Sequence, residues 1–177
     1  MIPKVKKILF TSDLSEMARP AFDFTAAIAC GQGARIVILH VIEDTTPYAS
    51  THVQSFLGKE RWQQLQEGFE NEARQFLSGK RREGVVIKEA LGEFCRVAQE
   101  ELGEDNLVGD QILVARGNVV DEIINTATES GCDLIVMAHY IRGKLSEAVL
   151  GSTSRRVIRR SPVPVLLVPI QVDDSKA

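Results

Sequence analysis

The stretch DLIVMAHYIRGKLSEAVLGSTSRRVIRRSPVPVLLVP, residues 133–169, decides the fold class. It opens with an apolar run at 133–139, passes through a loop that contains a glycine, and continues into STSRRVIRRS, which we interpret as a helix. A second apolar run, VPVLLVP at 163–169, follows directly and is bracketed by prolines. Two short apolar runs joined by a loop and a helix predict parallel strands with a right-handed crossover.

The same alternation of strand and helix patterns occupies the rest of the chain. Before the opening stretch we predict strands at 6–12, 35–41 and 111–115, and helices at 17–33 and 117–131. The strand at 35–41, RIVILHV, is apolar almost throughout, as a strand buried on both faces should be. The sequence therefore predicts one α/β domain over residues 1–170, an open five-stranded parallel sheet, doubly wound with helices on both faces, followed by a polar tail at 171–177.

The region between the second and third strands is longer than a simple crossover needs. Residues 59–83 carry apolar side chains at helical spacing and predict a long amphipathic helix. Residues 85–105 suggest a second, separate helix. We therefore predict an extra helical segment, an insertion at about 78–110, before the third strand.

Composition and charge exclude several classes of protein. The net charge is −3, so no overall basic field indicates a nucleic-acid partner. No apolar stretch is long enough for a membrane span, and the N-terminal apolar run lacks the features of a signal peptide. The three cysteines are far apart and form no CxxC pair, which argues against disulfides and zinc sites. We expect a cytoplasmic protein without a metal site, whose cysteines are small buried residues.

Candidate site residues follow from the topology alone. In open parallel sheets, ligands bind beyond the carboxyl ends of the strands, near the point where the strand order reverses. This rule selects Asp13 and Ser15 after the first strand, Val41 to Asp44 after the second, Arg116 to Asn118 after the third, and Ala138 to Arg142 after the fourth. Asp13 has a second interpretation as an ordinary turn residue, and Val41 as ordinary core.

Four further groups of residues lie in or near the predicted strand ends and the last helix. Gly151, Ser152 and Thr153 begin a predicted helix, whose free N–H groups suit an anion, while Ser152 also suits a helix cap. The four arginines that follow are best interpreted as a solvated face. His139 is conceivable as a general base, but a loop histidine without a catalytic role is the simpler interpretation. His40, inside an apolar strand, is interpreted as a hydrogen-bonded core residue.

The segments ILFTSDLSE, VILHVIE, ARGNVVDEIINTATESGCDLIVMA and VLGSTSRRVIRRSPVPVLLVP resemble the universal stress protein family, over about residues 4–42 and 111–169. The resemblance implies a Rossmann-like fold of the adenine nucleotide alpha hydrolase type, a homodimer and, in one branch, ATP binding. It also implies that Asp13 contacts the adenosine portion of the nucleotide and that the backbone of Val41 meets adenine.

The phosphate-binding pattern of the ATP branch is only partly kept. That pattern has G-x-x-G, nine residues and then G-[ST], and Gly151 and Ser152 match its end. Ala138 and Ile141 occupy the two earlier glycine positions. A β-branched isoleucine resists left-handed backbone, so we expect Ile141 to obstruct phosphates at a turn. Gly143 offers flexibility in a shifted loop, and Arg142 offers charge.

Three function hypotheses remain at this stage. The first is a dimeric regulatory or protective stress protein with a degraded nucleotide loop and no required cofactor. The second is a binding module for ATP or another adenine nucleotide, with slow hydrolysis at most. The third, an enzyme of a related nucleotide-binding superfamily, is disfavoured because TSDLSE after the first strand lacks a glycine-rich phosphate signature. We predict no catalytic residue.

The last strand is the expected dimer interface. VPVLLVP is short and strongly apolar, and proline is tolerated in edge strands. An exposed apolar edge favours pairing with another chain. Because family members often pair through this strand, we predict a homodimer in which Val163, Val165 and Leu167 contribute to the interface.

Overall fold

The structure is a computed structural model that describes residues 4–15, 18–43, 79–102, 109–142 and 150–172. Its strands and helices alternate along the chain. In order they are β1 (Lys7–Thr11), α1 (Arg19–Gln32), β2 (Arg35–Ile42), α2 (Gly79–Leu102), β3 (Gly109–Arg116), α3 (Val119–Glu129), β4 (Leu134–Arg142), α4 (Ser152–Arg160) and β5 (Val165–Val172).

The five strands form one parallel sheet in the order β3-β2-β1-β4-β5. β1 lies at the centre, where Leu9 is in register with Val37 of β2 on one side and with Ile135 of β4 on the other. The strand order reverses between β1 and β4, since the chain adds β2 and β3 to one side and then β4 and β5 to the other. The predicted fold class is confirmed, and the reversal places a crevice beyond the carboxyl ends of β1 and β4.

Two apolar layers hold the helices against the sheet because successive strand residues face opposite sides. On one side α1 and α2 cover a core that includes Phe10, Ile38, Val136 and their neighbours. On the other side α3 and α4 cover a core that includes Leu39 and Met137. Phe10 and Phe22 of α1 pack edge to face, with ring centroids 5.2 Å apart. Both faces of the central strands are therefore buried, which explains their continuous apolar sequences.

The structure corrects three predicted boundaries. β4 continues through Tyr140 and Ile141 to Arg142, three residues beyond the predicted strand, because these residues pair with β5. β5 runs from Val165 to Val172, so the sheet extends two residues past the predicted domain end at 170. The predicted break near residue 84 is wrong, since one helix, α2, runs from Gly79 to Leu102.

α2 confirms that a helical segment precedes the third strand. Its buried side chains Ile87, Ala90 and Leu91 belong to the same core as those of α1. Most of the predicted helix at 59–83 and the preceding loop lie outside the described residues. None of the helices in the described ranges is both long and apolar enough to cross a membrane.

Candidate functional site

A cavity of about 580 Å³ opens at the carboxyl end of the sheet. Its walls are the loop after β1, the ends of β2 and β4, and the first turns of α3 and α4. This is the point at which the strand order reverses, where ligands of doubly wound sheets bind. The volume lies within the range of small-molecule sites, which is roughly 300–1,000 Å³.

Six of the seven residues predicted to bind a nucleotide line this cavity. They come from four different parts of the fold and are Asp13, Val41, Ala138, Gly151, Ser152 and Thr153. The seventh, Arg142, is the last residue of β4, in register with Val172, and the role of its side chain stays a prediction. The carboxyl-end rule therefore brought together residues that lie far apart in the chain.

The first turn of α4 differs from the predicted arrangement. The N-cap residue is Gly151, which has φ −53° and ψ 150° and no side chain with which to accept a hydrogen bond, so the interpretation of Ser152 as the cap is wrong. The helix begins with Arg155 N donating to Gly151 O at 3.0 Å. The first N–H groups of a helix have no partner within the helix and carry partial positive charge. Because this turn lines the cavity, it offers an anion-binding surface there.

The arginines of α4 match the predicted solvated face. Arg155, Arg156, Arg159 and Arg160 are all exposed. Arg155 donates to Leu150 O at 3.1 Å, and Arg160 contacts Asp121 of α3 at 2.6 Å. Two of the four therefore bind protein groups in the described part of the structure, and the whole set adds positive charge around α4.

The loop after β1 is a tight turn that holds Asp13 at the cavity. Leu14 has a φ of 60°, unusual for a residue other than glycine, and its side chain is buried in the core. The Leu14 N–H donates to Ser12 Oγ at 3.1 Å, and the Ser15 N–H donates to Asp13 Oδ1 at 3.0 Å. The turn interpretation of Asp13 is confirmed, and the same residue also lines the cavity.

His40 fixes the start of this loop. Its Nδ1 lies 2.8 Å from Ser12 O, and because a carbonyl only accepts, the ring nitrogen donates. The predicted role as a hydrogen-bonded core residue is confirmed, although His40 is half-buried and also lines the cavity. His139 lies within β4 rather than in a loop and lines the cavity as well.

Tyr140 lies within the range 138–142 that the carboxyl-end rule selects, but sequence reasoning assigned it no role of its own. Its hydroxyl donates to Asp13 Oδ2 at 2.6 Å and lies 2.7 Å from Ser15 Oγ. Burial, followed by the negative charge of Asp13, raises the pKa of the Tyr140 hydroxyl above its ordinary range, so the group stays protonated at neutral pH. The sequence did contain a signal, because alternation along a β4 extended beyond 139 places Tyr140 on the same face as Ala138.

Ile141 does not lie at a turn, as we expected, but within strand β4. It belongs to β4, in register with Gln171, and Leu14 is the one residue other than glycine with positive φ in the described ranges. Isoleucine suits this extended backbone. Ile141 is also not among the described residues that line the cavity. Gly143, which we expected to add flexibility to a shifted loop, lies outside the described residues.

The cysteines occupy two different settings. Cys95 and Cys132 are buried, and burial raises the pKa of Cys95 to about 12 and that of Cys132 to about 11. Cys30 is exposed on α1, which corrects the expectation that all three are buried.

Comparison with known proteins identifies the fold with an established family. The model of the universal stress protein family matches residues 4–169. Universal stress protein MJ0577 of Methanocaldococcus jannaschii is 30% identical over 163 residues, which cover 92% of this chain and 94% of that protein.

Solved structures agree with this assignment at the level of the fold. Universal stress protein UspA from Lactobacillus plantarum superposes with a TM-score of 0.60 at 19% identity, covering 94% of this chain and 99% of the other. A universal stress protein in complex with cAMP gives a TM-score of 0.51 at 19% identity, covering 95% and 99%. The family match over almost the whole chain and the 30% identical relative lead to one conclusion: this chain belongs to the universal stress protein family.

Proposed function

We propose that this protein is a regulatory binding module whose cavity takes an adenine nucleotide, with phosphate at the first turn of α4 and the nucleoside toward Asp13 and Val41. One observation carries the proposal. A single cavity of about 580 Å³ joins a helix N-terminus without a side-chain cap to an oriented carboxylate. A nucleotide has the matching pair of ends, an anion and a nucleoside rich in hydrogen-bond donors.

The phosphate end is supported by the chemistry of α4. The helix has no acidic residue in its first turn, so nothing there competes with a bound anion. Gly151 is exposed, and a Cβ added to it would meet no described atom within 4 Å. The backbone of this turn is therefore open to close approach, as phosphate sites require.

The nucleoside end is supported by the walls near β1 and β2. Val41 and Ile42 at the end of β2 and Leu14 contribute apolar surface, on which a base would be desolvated. Asp13 provides a carboxylate that accepts hydrogen bonds from hydroxyl or amino groups. Another universal stress protein has been solved in complex with cAMP, an adenine nucleotide. At 19% identity, this relative supports a common fold rather than a common site.

The backbone at Ile141 supports the proposal of nucleotide binding. The expected obstruction combined a left-handed turn at this residue with side-chain bulk in the phosphate path, whereas β4 continues through Ile141 in extended backbone. Ile141 is also not part of the described cavity wall. We therefore propose a nucleotide-binding protein rather than a nucleotide-free one.

We propose binding rather than turnover as the function. The described walls of the cavity include His40 and His139 together with hydroxyl groups of α4 and of the β1 loop. General-base catalysis requires a base within hydrogen-bond reach of its proton donor. The Nδ1 of His40 is engaged by the backbone carbonyl of Ser12, which makes that nitrogen a donor rather than a base. The resemblance to the family implies slow hydrolysis at most, and we propose the same for this chain.

The test begins with the purified protein without added nucleotide. Denaturation followed by absorbance and chromatography detects any adenine nucleotide that was retained, and calorimetry with ATP·Mg measures affinity. We expect retained nucleotide or a saturable heat of binding. Neither retained nucleotide nor heat, with the protein folded by circular dichroism, would contradict the proposal and favour the nucleotide-free protective scaffold.

We further propose that the protein is a homodimer through β5. β5 is an edge strand of the sheet, and its exposed Pro169 is tolerated because an edge need not donate every N–H. Val163, Val165 and Leu167 are half-buried against the α3–α4 core, so each leaves part of its apolar surface uncovered. An edge with uncovered apolar surface is suited to pairing.

Light scattering coupled to gel filtration tests the dimer. We expect a dimeric mass for the wild-type chain and a monomeric mass for Leu167→Glu. Phe24→Glu is the matched control, because Phe24 is an exposed apolar side chain of α1 with 59% of its surface accessible. A dimer that persists in Leu167→Glu, or that is lost only in Phe24→Glu, would rule out the β5 interface.

The cysteines support a reducing, cytoplasmic location as part of the proposal. The three are widely spaced in the sequence and form no CxxC pair, whereas small secreted proteins often carry a dense disulfide framework.

A further inference from the structure

A chain of hydrogen bonds connects β4 to the loop after β1 at the wall of the cavity. Tyr140 Oη lies 2.6 Å from Asp13 Oδ2 and 2.7 Å from Ser15 Oγ. The Ser15 N–H closes the arrangement by donating to Asp13 Oδ1 at 3.0 Å. β4 and the β1 loop therefore together determine the orientation of a single carboxylate.

The direction of each hydrogen bond follows from the chemistry of the groups. An ionised carboxylate only accepts, so the Tyr140 hydroxyl must donate to Asp13. The phenol oxygen is then left to accept, so the Ser15 hydroxyl donates to Tyr140. The Ser15 hydroxyl therefore donates to Tyr140, and the Tyr140 hydroxyl donates to Asp13. Both hydroxyl hydrogens are thus used within the protein.

This arrangement leaves Asp13 able to bind a ligand. Each carboxylate oxygen has about two acceptor positions, and the described residues occupy one on each. Asp13 is exposed and lines the cavity, so the remaining positions are open to a ligand. A ligand group that donates is favoured there, and one that presents only acceptors is repelled by the negative charge.

Orientation in advance is the contribution of Tyr140. An exposed aspartate samples several rotamers, and holding it in one of them on binding costs affinity. In this protein the tyrosine hydroxyl and the Ser15 amide hold the carboxylate before any ligand arrives. The tyrosine thus acts on the ligand through Asp13.

We propose that Tyr140 is a positioning residue that presents Asp13 as an acceptor for the hydroxyl and amino donors of a nucleoside, so that the site selects nucleosides over bare polyphosphate. The inference rests on the proposed nucleotide-binding function and deepens it. It concerns only the Asp13 end of the cavity, whereas phosphate binding depends on α4.

The test compares two ligands across a small set of variants. Calorimetry measures ATP·Mg and magnesium tripolyphosphate, which lacks the nucleoside, against the wild type, Tyr140→Phe and Ser15→Ala. Tyr140→Phe keeps the ring and removes only the hydroxyl. The matched control is Thr128→Val, which removes an exposed hydroxyl of α3 that donates to Ile124 O at 2.9 Å and does not line the cavity.

We expect Tyr140→Phe to weaken ATP about three- to tenfold, Ser15→Ala to weaken it less, and both to leave tripolyphosphate within about twofold. The control should bind both ligands as the wild type does. Loss of both ligands in equal measure would mean a general structural effect and would overturn the inference. Unchanged ATP affinity would also overturn it, as would tighter ATP binding, which would show that the hydroxyl blocks Asp13 instead.

A double-mutant cycle decides the matter even where tripolyphosphate binds too weakly to measure. Because Tyr140 acts through Asp13, Tyr140→Phe should have no further effect on ATP affinity in an Asp13→Ala background. Independent losses that multiply would contradict the inference while leaving nucleotide binding intact. If the wild type binds neither ligand, the proposed function itself fails and the inference falls with it.

Discussion

The N-termini of α3 and α4 lie at the same cavity, but α3 has a side-chain N-cap and α4 has none. α3 is capped by Asn118, whose Oδ1 accepts from Val120 N at 3.1 Å and from Asp121 N at 3.2 Å. α4 begins at Gly151, which has no side chain to serve as a cap. Closing the donors of a helix with its own side chain stabilises the fold, whereas leaving them open makes them available to an anion. This difference agrees with the proposal that α3 supports the structure and that α4 binds the phosphate of a ligand.

The charged residues near the ends of α3 and α4 differ in the same sense as their caps. α3 carries Asp121 and Glu122 in its first turn, which suits the positive end of its own dipole and repels an anion. α4 carries no acid in its first turn and has Arg159 and Arg160 in its last turn. Under the proposed function, a bound phosphate would neutralise the positive end of the α4 dipole.

The largest expected effect is a loss of ATP affinity when a negative charge is placed at the N-terminus of α4. Ser152→Asp places a carboxylate at the first helical position, which favours the helix by up to about 1 kcal/mol but repels phosphate. We expect the affinity for ATP·Mg to fall by at least about tenfold, since like charges a few Å apart repel strongly. Calorimetry and thermal melting measure the two effects separately.

The control for this variant is Ser152→Ala, which should keep ATP affinity within about threefold because the backbone donors are unchanged. Undiminished ATP binding by Ser152→Asp would show that α4 does not hold the phosphate.

The two glycines that precede the helices should respond differently to alanine. Gly117 has a φ of 149°, and a Cβ there would lie 3.1 Å from a carboxylate oxygen of Glu122. Gly117→Ala should therefore destabilise the protein by about 1–3 kcal/mol, measured by urea unfolding. Gly151→Ala is expected to cost about 0.5 kcal/mol, because its backbone conformation is open to alanine and only the N-cap preference changes. Equal losses would contradict the difference drawn between the starts of α3 and α4.

Removing the cap of α3 tests its structural role. Asn118→Ala leaves two N–H groups without their acceptor and should lower stability by about 1 kcal/mol, which corresponds to roughly 2–4 °C in melting temperature. ATP affinity should not change. Asn118→Asp retains the acceptor and is expected to melt close to the wild type. A fall in ATP affinity with Asn118→Ala would assign part of the phosphate site to α3.

The smallest effect concerns the ion pair that links the two helices. Arg160 and Asp121 lie 2.6 Å apart but remain about half exposed, at 48% and 47%. Exposed pairs contribute little, so Arg160→Ala should cost no more than about 0.5 kcal/mol in urea unfolding. Arg159→Ala, at the preceding residue of α4, is the control. A loss well above that of the control would show that the ion pair matters to how α3 and α4 pack.

The sheet was predictable because its signals are local and repeated. Apolar runs such as RIVILHV reflect burial on both faces, and the loops between them carry glycine and polar residues. The ends of strands were not predictable in the same way. Whether Tyr140 to Arg142 continue β4 depends on pairing with β5, and whether Gly84 interrupts α2 depends on packing against β3.

The candidate site also has a part that could be predicted from the sequence and a part that could not. The carboxyl-end rule and the family resemblance located Asp13, Val41, Ala138 and the start of α4, because parallel strands bring those ends to one edge. The bond from Tyr140 to Asp13 spans 127 positions and depends on strand residues beyond the predicted end of β4. The cap of α4 was misassigned to Ser152 because sequence favours a hydroxyl over glycine at that position.

The most direct test is a titration of the ¹⁵N-labelled protein with ATP·Mg, followed by amide chemical shifts. The account predicts that the amides of Ser152, Thr153 and Ser154 in α4 shift with a common saturation curve, while those of Val120 and Asp121 in α3 stay in place. Shifts confined to α3, or no shifts in either first turn at saturating ATP, would contradict the claim that the open helix binds and the capped helix supports.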